Sequence, residues 1–356
     1  MKYLGIDVHS KATVWCLLNE DGAVAQRGKV ATTVQDLHEL VTTLAVEDVL
    51  RVGQEVGTMA YFVHDTVTAA GVEILSFNAQ HMRMIAASRK KTDRRDAFWL
   101  AKALQTGMTP HPVFIPTGEL RLMRSLLVQR GVVARERRRW LIRAKSHLRA
   151  CGRETTSSRS VARLTERALA HPEGLDTYVV NALELCERME SNAALEQKRL
   201  EKVIAETTKG NDAIGRLQTI PGVGQLTAVA LYSWIGDAKR FPNARSLASY
   251  VGLVPSVSQS GTSTRLGGIT KQGCGQLRSL LVQAAHTMMF RCRTEEAAPL
   301  QAIADRIHKS RVRRKIAVVA AARHILRIAY YVLRDGTVYD ATKISSGLPE
   351  AEAPAA

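Results

Sequence analysis

The sequence predicts an α/β domain at its N-terminal end, followed by a mainly helical remainder. Short runs rich in Val, Ile, Leu and Tyr, bounded by turn residues, recur over residues 1–105 and read as strands between helices. Two long stretches, 119–149 and 178–209, carry apolar residues at helical spacing. Beyond residue 210 the helical patterns are broken by Gly, Pro and Ser, which marks a third region of a different kind.

Taken in order, residues 3–7, 12–19 and 24–30 are β-type runs, with the turn Glu20-Asp21-Gly22 between the second and third, and suggest a three-strand meander. A helical stretch at 33–44 follows, then a strand at 49–54, a helix at 59–70 and a strand at 72–77. That order, β-β-β-α-β-α-β, is the order of ribonuclease H-like domains. Residues 119–149 are Leu- and Arg-rich, with ten basic residues against only Glu119 and Glu136. In 178–209, Leu183, Cys186, Met189, Ala193, Leu200 and Val203 are spaced by threes, fours and a seven. Two long helices around a Gly/Ser/Thr-containing link at 152–160 predict an antiparallel hairpin or coiled coil, as a spacer, a dimerisation element or a nucleic-acid contact. The third region covers 213–293, and a basic helical segment at 306–334 holds nine Lys or Arg and no acid. From residue 341 the Ala, Pro, Ser and Glu content is that of a disordered tail. The boundaries that follow are 1–110 for the α/β domain, 111–210 for the long helices, 211–340 for a mainly α C-terminal domain and 341–356 for the tail. No fixed-period repeat is visible.

With 356 residues, 46% of them apolar, the chain has material for two or three globular domains. A formal charge of +17 points to a polyanionic partner, because each phosphate neutralised by Lys or Arg releases counterions. Ribosomal or membrane-surface binding would give the same charge. Cys16, Cys151, Cys186, Cys274 and Cys292 are odd in number and scattered, which supports neither a disulfide framework nor a zinc site and suits a reducing cytoplasm. No charged-then-apolar leader opens the sequence, and the apolar run at 316–322 is short for a bilayer, so neither secretion nor membrane insertion is expected.

Asp7, Glu55, Asp93 and Asp96 are the acids that carry chemistry. Asp7 ends an apolar strand in Gly5-Ile6-Asp7-Val8-His9, where an uncompensated carboxylate is costly. Glu55 ends the next apolar strand, and a parallel neighbour would put both acids at one sheet edge. Asp93 and Asp96, in Lys90-Lys91-Thr92-Asp93-Arg94-Arg95-Asp96, share a helix face if a helix begins there. Taken singly, Asp93 or Thr92 is a helix cap and Glu55 a solvated strand end. Their combination in a cationic chain predicts a site for Mg²⁺, with two ions the usual device for attack on a phosphodiester.

Further on, Ile220-Pro221-Gly222-Val223-Gly224 before an apolar run reads as a helix-hairpin-helix turn, with Gly222 and Gly224 leaving backbone N–H groups open to a phosphate. The same residues also suit an ordinary turn between helices. Residues 256–264, rich in Ser, Gly and Thr, have the composition of a flexible loop. A serine there, flanked by Arg265, Lys271 and Arg278, also has what a phosphoryl-transfer nucleophile requires, namely exposure and nearby cations.

These motifs together resemble the insertion-sequence recombinases, or DEDD transposases, that join a RuvC-like N-terminal domain to a C-terminal transposase domain carrying a catalytic serine. The resemblance covers about residues 1–340. Beyond the acidic motifs and Pro221-Gly222-Val223-Gly224, it includes Tyr250-Val251-Gly252-Leu253-Val254-Pro255, Ser260-Gly261, Gly268-Ile269-Thr270-Lys271, and residues 323–331 ahead of Asp335-Gly336. It implies a Mg²⁺-binding tetrad of Asp7, Glu55, Asp93 and Asp96. It also implies Ser260 as nucleophile, aligned with the second serine of a Ser-Ser-Gly motif. Gln259 and Thr262 depart from that pattern, so Ser258 and Ser256 remain alternatives.

The implied activity is site-specific DNA recombination by a mobile element. Ser260 attacks a DNA phosphate to form a phosphoserine, a noncoding bridge RNA pairs with donor and target DNA, and the protein assembles as dimers and tetramers. Three other functions fit the residues: a RuvC-like nuclease with no covalent step, a chromosomal DNA invertase on the same fold, and a nonenzymatic nucleic-acid-binding protein.

Overall fold

The computed structural model describes all residues except 47, 86–91, 156–157, 261–262, 312–313 and 346–356. The chain divides into two compact units, Met1–Pro116 and Thr117–Ala356.

Unit 1 is built on β1 (Lys2–Val8), β2 (Ala12–Leu18), β3 (Val24–Ala31), α1 (Val34–Ala45), β4 (Leu50–Glu55), α2 (Ala60–Ala69), β5 (Glu73–Phe77), α3 (Ala79–Ile85) and α4 (Asp93–Thr106). The first seven follow the order expected from the sequence. The sheet order is β3-β2-β1-β4-β5. β1, β2 and β3 run antiparallel, turned between β2 and β3 by Gly22 at φ +84, while β4 is parallel to both β1 and β5. Alternation along the strands sorts side chains between two faces. Leu4, Ile6, Leu17, Val52 and Ile74 pack against Leu37 and Val41 of α1 and Val63 and Val67 of α2. On the other face, Cys16 and Leu18 meet Ala97 and Ala101 of α4, and Phe77 meets Leu100, Ala103 and Leu104. Helix α1 begins where Thr33 Oγ1 accepts from the Asp36 amide at 3.1 Å, a side-chain cap that satisfies one of the free N–H groups of the first turn.

Unit 2 opens with α5 (Gly118–Ala150), α6 (Val161–Leu169) and α7 (Thr177–Thr207). Arg130 pairs with Glu201 and Arg137 with Glu190, each at 2.6 Å, so α5 and α7 run antiparallel. Glu190 is buried, and its ion pair lies near a cluster of Ala144, Leu148, Leu164, Val179, Leu183 and Cys186. Arg124, one of the ten basic residues of the Leu- and Arg-rich stretch, lies inside the unit. It is 6% exposed, lies over the Trp234 ring, and donates to the carbonyls of Ser233 and Trp234 at 2.8 and 3.2 Å.

The remainder comprises α8 (Asp212–Gln218), α9 (Gln225–Ile235), a short 3₁₀ turn (Ala238–Arg240), α10 (Ala244–Val251), β6 (Pro255–Ser260), β7 (Ser263–Ile269), α11 (Gly275–Phe290), α12 (Ala298–Arg311), α13 (Arg314–Asp335) and α14 (Thr342–Ser345). Two expectations change here. The Ser/Gly/Thr segment is not a loop but an antiparallel hairpin, β6 against β7, with Ser258 opposite Arg265. The segment assigned to a tail begins with a helical turn whose Ile344 is 8% exposed in the unit's core, while residues 346–356 lie outside the described residues.

Helix α13 is also longer and more apolar than the short run seen in the sequence suggested. By length and a mean hydropathy of 1.5 it could cross a bilayer. Instead Val318, Ala322, Ile325, Leu326 and Ala329 are buried against α11 and the other helices of the unit's main core.

Candidate functional site

Asp7 lies near the end of β1, and the register between β1 and β4 sets its neighbour. The last paired rung is Ile6–Gln54, so Asp7 and Glu55 each stand one residue beyond it on adjacent parallel strands. Asp93 is the first residue of α4, preceded by Thr92 in an extended conformation at the cap position, so Asp93 is not itself the cap. Asp96 follows one turn on, beside the fully buried Ala97.

What draws α4 to this edge is glycine. A Cβ at Gly5 would collide with the Ala97 carbonyl oxygen and stand 2.5 Å from the Ala101 amide nitrogen. At Gly53 it would lie 2.8 Å from Leu104 Cδ1. Two strands thus lack side chains where the helix crosses them, and its first turn arrives at the carboxyl end of β1.

There the structure gathers Asp7, Asp93 and a residue that the sequence reading passed over, His9. His9 Nε2 lies 3.4 Å from Asp7 Oδ2 and 3.3 Å from Asp93 Oδ2. One donor atom from each of the three falls within 4.8 Å of the others, and among the described residues this is the group spaced to hold one cation. An ion with ligands at about 2.0–2.6 Å spans such a set. The Asp7 side chain is 20% exposed and that of Asp93 60%, so the set opens to solvent on the helix side. Carboxylate oxygens suit Mg²⁺ or Mn²⁺, and an imidazole shifts preference toward transition metals. A signal for His9 was present, since it lies two residues beyond Asp7, but a lone exposed histidine carries little weight in a sequence.

In unit 2, Ser260 is the last residue of β6, paired with Ser263, and residues 261–262 of its Ser-Gly motif lie outside the described residues. Ser256 Oγ donates to the Gly268 carbonyl at 3.1 Å and so ties the base of the hairpin. Ser258 and Arg265 are exposed. Two motifs that looked separate in the sequence are locked together at this base. A Cβ at Gly252 would meet Gln272, and one at Gly273 the Tyr250 carbonyl. Lys271 sits between them at φ 58, and its amide donates to the Gly252 carbonyl at 3.3 Å. Arg278, expected to face phosphate, donates to the carbonyls of Val251, at 2.8 Å, and Gln272, and so clamps this base.

Gly222 and Gly224 divide their expected role. Gly222, at φ +84, presses on α11, where a Cβ would lie 2.9 Å from the Met288 amide nitrogen. Gly224 is exposed at the start of α9, with open space where its side chain would be.

Comparison with known proteins bears on both units. Residues 4–152 match the transposase family model DEDD_Tnp_IS110, and residues 215–301 match the Transposase IS116/IS110/IS902 family. The chain is 28% identical over 298 residues to a transposase for insertion sequence element IS1111A of Coxiella burnetii, covering 81% of this chain and 78% of the relative. It is 28% identical over 291 residues to the transposase for insertion sequence element IS1328 of Yersinia enterocolitica, covering 79% and 82%. Over a shorter span of 135 residues it is 33% identical to a pilin gene-inverting protein of Moraxella bovis, covering 38% and 41%.

Proposed function

Because this chain is an insertion-sequence transposase carrying the domains of the IS110/IS116 family, we propose that it cuts and rejoins DNA through a covalent phosphoserine at Ser260. The observation that carries the reading is the convergence of Asp7 and Asp93, from distant points of the chain, on one cation-sized set of donors. Unit 1 is read as a ribonuclease H/RuvC-like domain, the α5–α7 pair as a coiled-coil hairpin, and the segment around Gly222 and Gly224 as a helix-hairpin-helix.

In this reading Asp7, Glu55, Asp93 and Asp96 would hold Mg²⁺. A bound divalent ion supplies Lewis-acid stabilisation of charge on phosphoryl oxygens. The Ser260 hydroxyl attacks the phosphorus of a DNA phosphodiester, forms the phosphoserine linkage and expels a strand-end hydroxyl, which takes up the proton. Attack on that linkage by the hydroxyl of another strand completes exchange and regenerates the serine. Arg265 and Lys271 neutralise the DNA backbone beside it. Donor and target DNA are the substrates, a bridge RNA supplies sequence by base pairing, and the protein acts as a dimer or tetramer.

A second reading, inversion of a single DNA segment by the same chemistry, has the likeness to the pilin gene-inverting protein in its favour.

The test is to incubate the full chain with DNA carrying candidate element ends and Mg²⁺, denature, and seek protein-linked DNA. Mass spectrometry should place a phosphoryl group on Ser260, and Ser260→Ala should lose both the adduct and cleavage. Cleavage that persists in Ser260→Ala with no adduct would leave a hydrolytic nuclease as the better account. Sequencing of RNA that copurifies with the protein tests guidance, and the absence of any discrete RNA would remove it.

A further inference from the structure

Several buried or half-buried arginines of unit 2 have acceptors within it, although the buried Nε of Arg216 has none. Arg124 has the Ser233 and Trp234 carbonyls, Arg240 those of Ile235 and Trp234, Arg278 those of Val251 and Gln272, and Arg130 and Arg137 have carboxylates.

Two arginines of α13 differ from these in having no acceptor for the whole guanidinium. Arg323 and Arg327 are four residues apart on α13 and share a face, with His324 beside them, all three only partly exposed. Among the described residues neither arginine has a hydrogen-bonded acceptor or an ion-pair partner. The buried Nδ1 of His324 has no hydrogen-bond partner either. α10 packs on α13 and brings Arg245, while α12 packs on it and brings Arg306. Among the described residues the charges that act on Arg323 and His324 are positive: Arg327 and Arg245 on Arg323, and Arg327, Arg323 and Arg306 on His324.

Half-burying Arg323 and Arg327 side by side, with no acid paired to either among the described residues, is unfavourable, and burial and repulsion together lower the proton affinity of Arg323 and His324. Each guanidinium presents five N–H donors in a planar fork that matches two oxygens of a phosphate. An anion is therefore the group that this arrangement lacks, and a chain that acts on DNA works on polyphosphates.

We propose that Arg323 and Arg327, flanked by Arg245 and Arg306, form a phosphate-binding site that holds the backbone of a nucleic-acid strand. The site lies on α10, α12 and α13 and is assigned independently of the Asp7 cluster and of Ser260. It rests on the chain's action on DNA and on no step of the phosphoserine mechanism, so it is tested by binding and not by recombination.

The full-length protein is titrated with fluorescein-labelled duplex DNA and, separately, single-stranded RNA of the same length, over a range of NaCl concentrations. The double variant Arg323→Gln/Arg327→Gln is expected to reduce the slope of log affinity against log salt by about 1.8 on duplex DNA or about 1.4 on a single strand, since each phosphate contact contributes about 0.9 and about 0.7 respectively. A fall with the duplex alone assigns the site to DNA, and a fall with the RNA alone to RNA. The double variant Arg323→Lys/Arg327→Lys is expected to keep most of the wild-type slope. Thermal unfolding of the glutamine variant without nucleic acid is expected at or above the wild-type temperature, because unpaired cations are removed.

Unchanged slopes with both nucleic acids in the glutamine variant would overturn the proposal. So would an equal loss in the lysine variant, or a lowered unfolding temperature in the glutamine variant, because either points to packing. A wild-type protein that binds neither nucleic acid would overturn the premise as well.

Discussion

Gly5 of β1 and Ala97 of α4 meet backbone to backbone, so closely that no side chain fits at Gly5. The obstructing atoms are a carbonyl oxygen and an amide nitrogen, which cannot swing aside as a flexible side chain would. Gly5→Ala is therefore expected to push α4 off the sheet and cost about 1–3 kcal/mol, measured by urea denaturation. Because Asp93 opens α4, the same change should weaken divalent-metal binding out of proportion to the stability lost. A Gly5→Ala protein with wild-type metal affinity would show that α4 is held in place by something other than this contact.

The Asp7–His9–Asp93 set predicts a protein stabilised by its metal. Any ion that binds only the folded state raises stability, by about 2.7 kcal/mol at a hundredfold excess over Kd. Addition of Mn²⁺ or Mg²⁺ to the EDTA-treated protein should raise Tm, and Asp7→Asn or Asp93→Asn should abolish the rise. His9→Ala should reduce the Mn²⁺ response more than the Mg²⁺ response, because an imidazole contributes more to the transition metal. Equal Tm gains in wild type and Asp7→Asn would place the ion elsewhere.

Much of unit 1 was legible in the sequence because its signals are local. Strand alternation and Gly22 in the turn set the meander, and the apolar spacing of Leu37, Leu40 and Val41 set α1. The convergence of Asp7 with Asp93 depends on two glycines far apart in the chain, which in sequence look like any others. The acidic motifs pointed to one site without showing that packing, and His9, whose partners are spatial, had no motif to mark it. In unit 2 the hairpin of β6 and β7 was hidden by its composition: Ser, Gln and Thr suggest a loop until Ser258 is seen opposite Arg265. Basic residues were the hardest to sort. Arg124 and Arg278 look like surface charges in the sequence, yet each is spent on main-chain carbonyls that a fold must satisfy somewhere.

Lys271 offers a separation of stability from function. A lysine at φ 58 occupies the left-handed region that glycine enters freely, and such a residue costs on the order of 1 kcal/mol. Lys271→Gly is expected to raise stability by a fraction of that amount, because glycine also loses more freedom on folding. If the ammonium contacts DNA, the same variant should bind duplex DNA more weakly, with a salt slope lower by about one. A variant that is more stable and binds DNA as well as wild type would assign Lys271 no part in the substrate contact.

His324 predicts how stability should respond to acid. Burial, with Arg327, Arg323 and Arg306 around it, pushes the imidazole down to about 4 from an ordinary 6.5. Between those values the unfolded chain holds a proton that the folded chain does not, so stability falls as pH is lowered through that window. The contribution is complete above pH 6.5 and lost near pH 4, on the order of 3 kcal/mol in all. His324→Gln should remove this part of the pH dependence while leaving the carboxylates' share. Urea titrations from pH 4 to 7.5 give the two curves, and parallel curves would mean that His324 titrates alike in both states. A bound phosphate would favour the imidazolium and offset the arginines, so added duplex DNA should flatten the wild-type curve and leave that of His324→Gln less altered. This response separates a cationic cluster that awaits an anion from one that is merely buried, because only the former gives the proton a counter-charge.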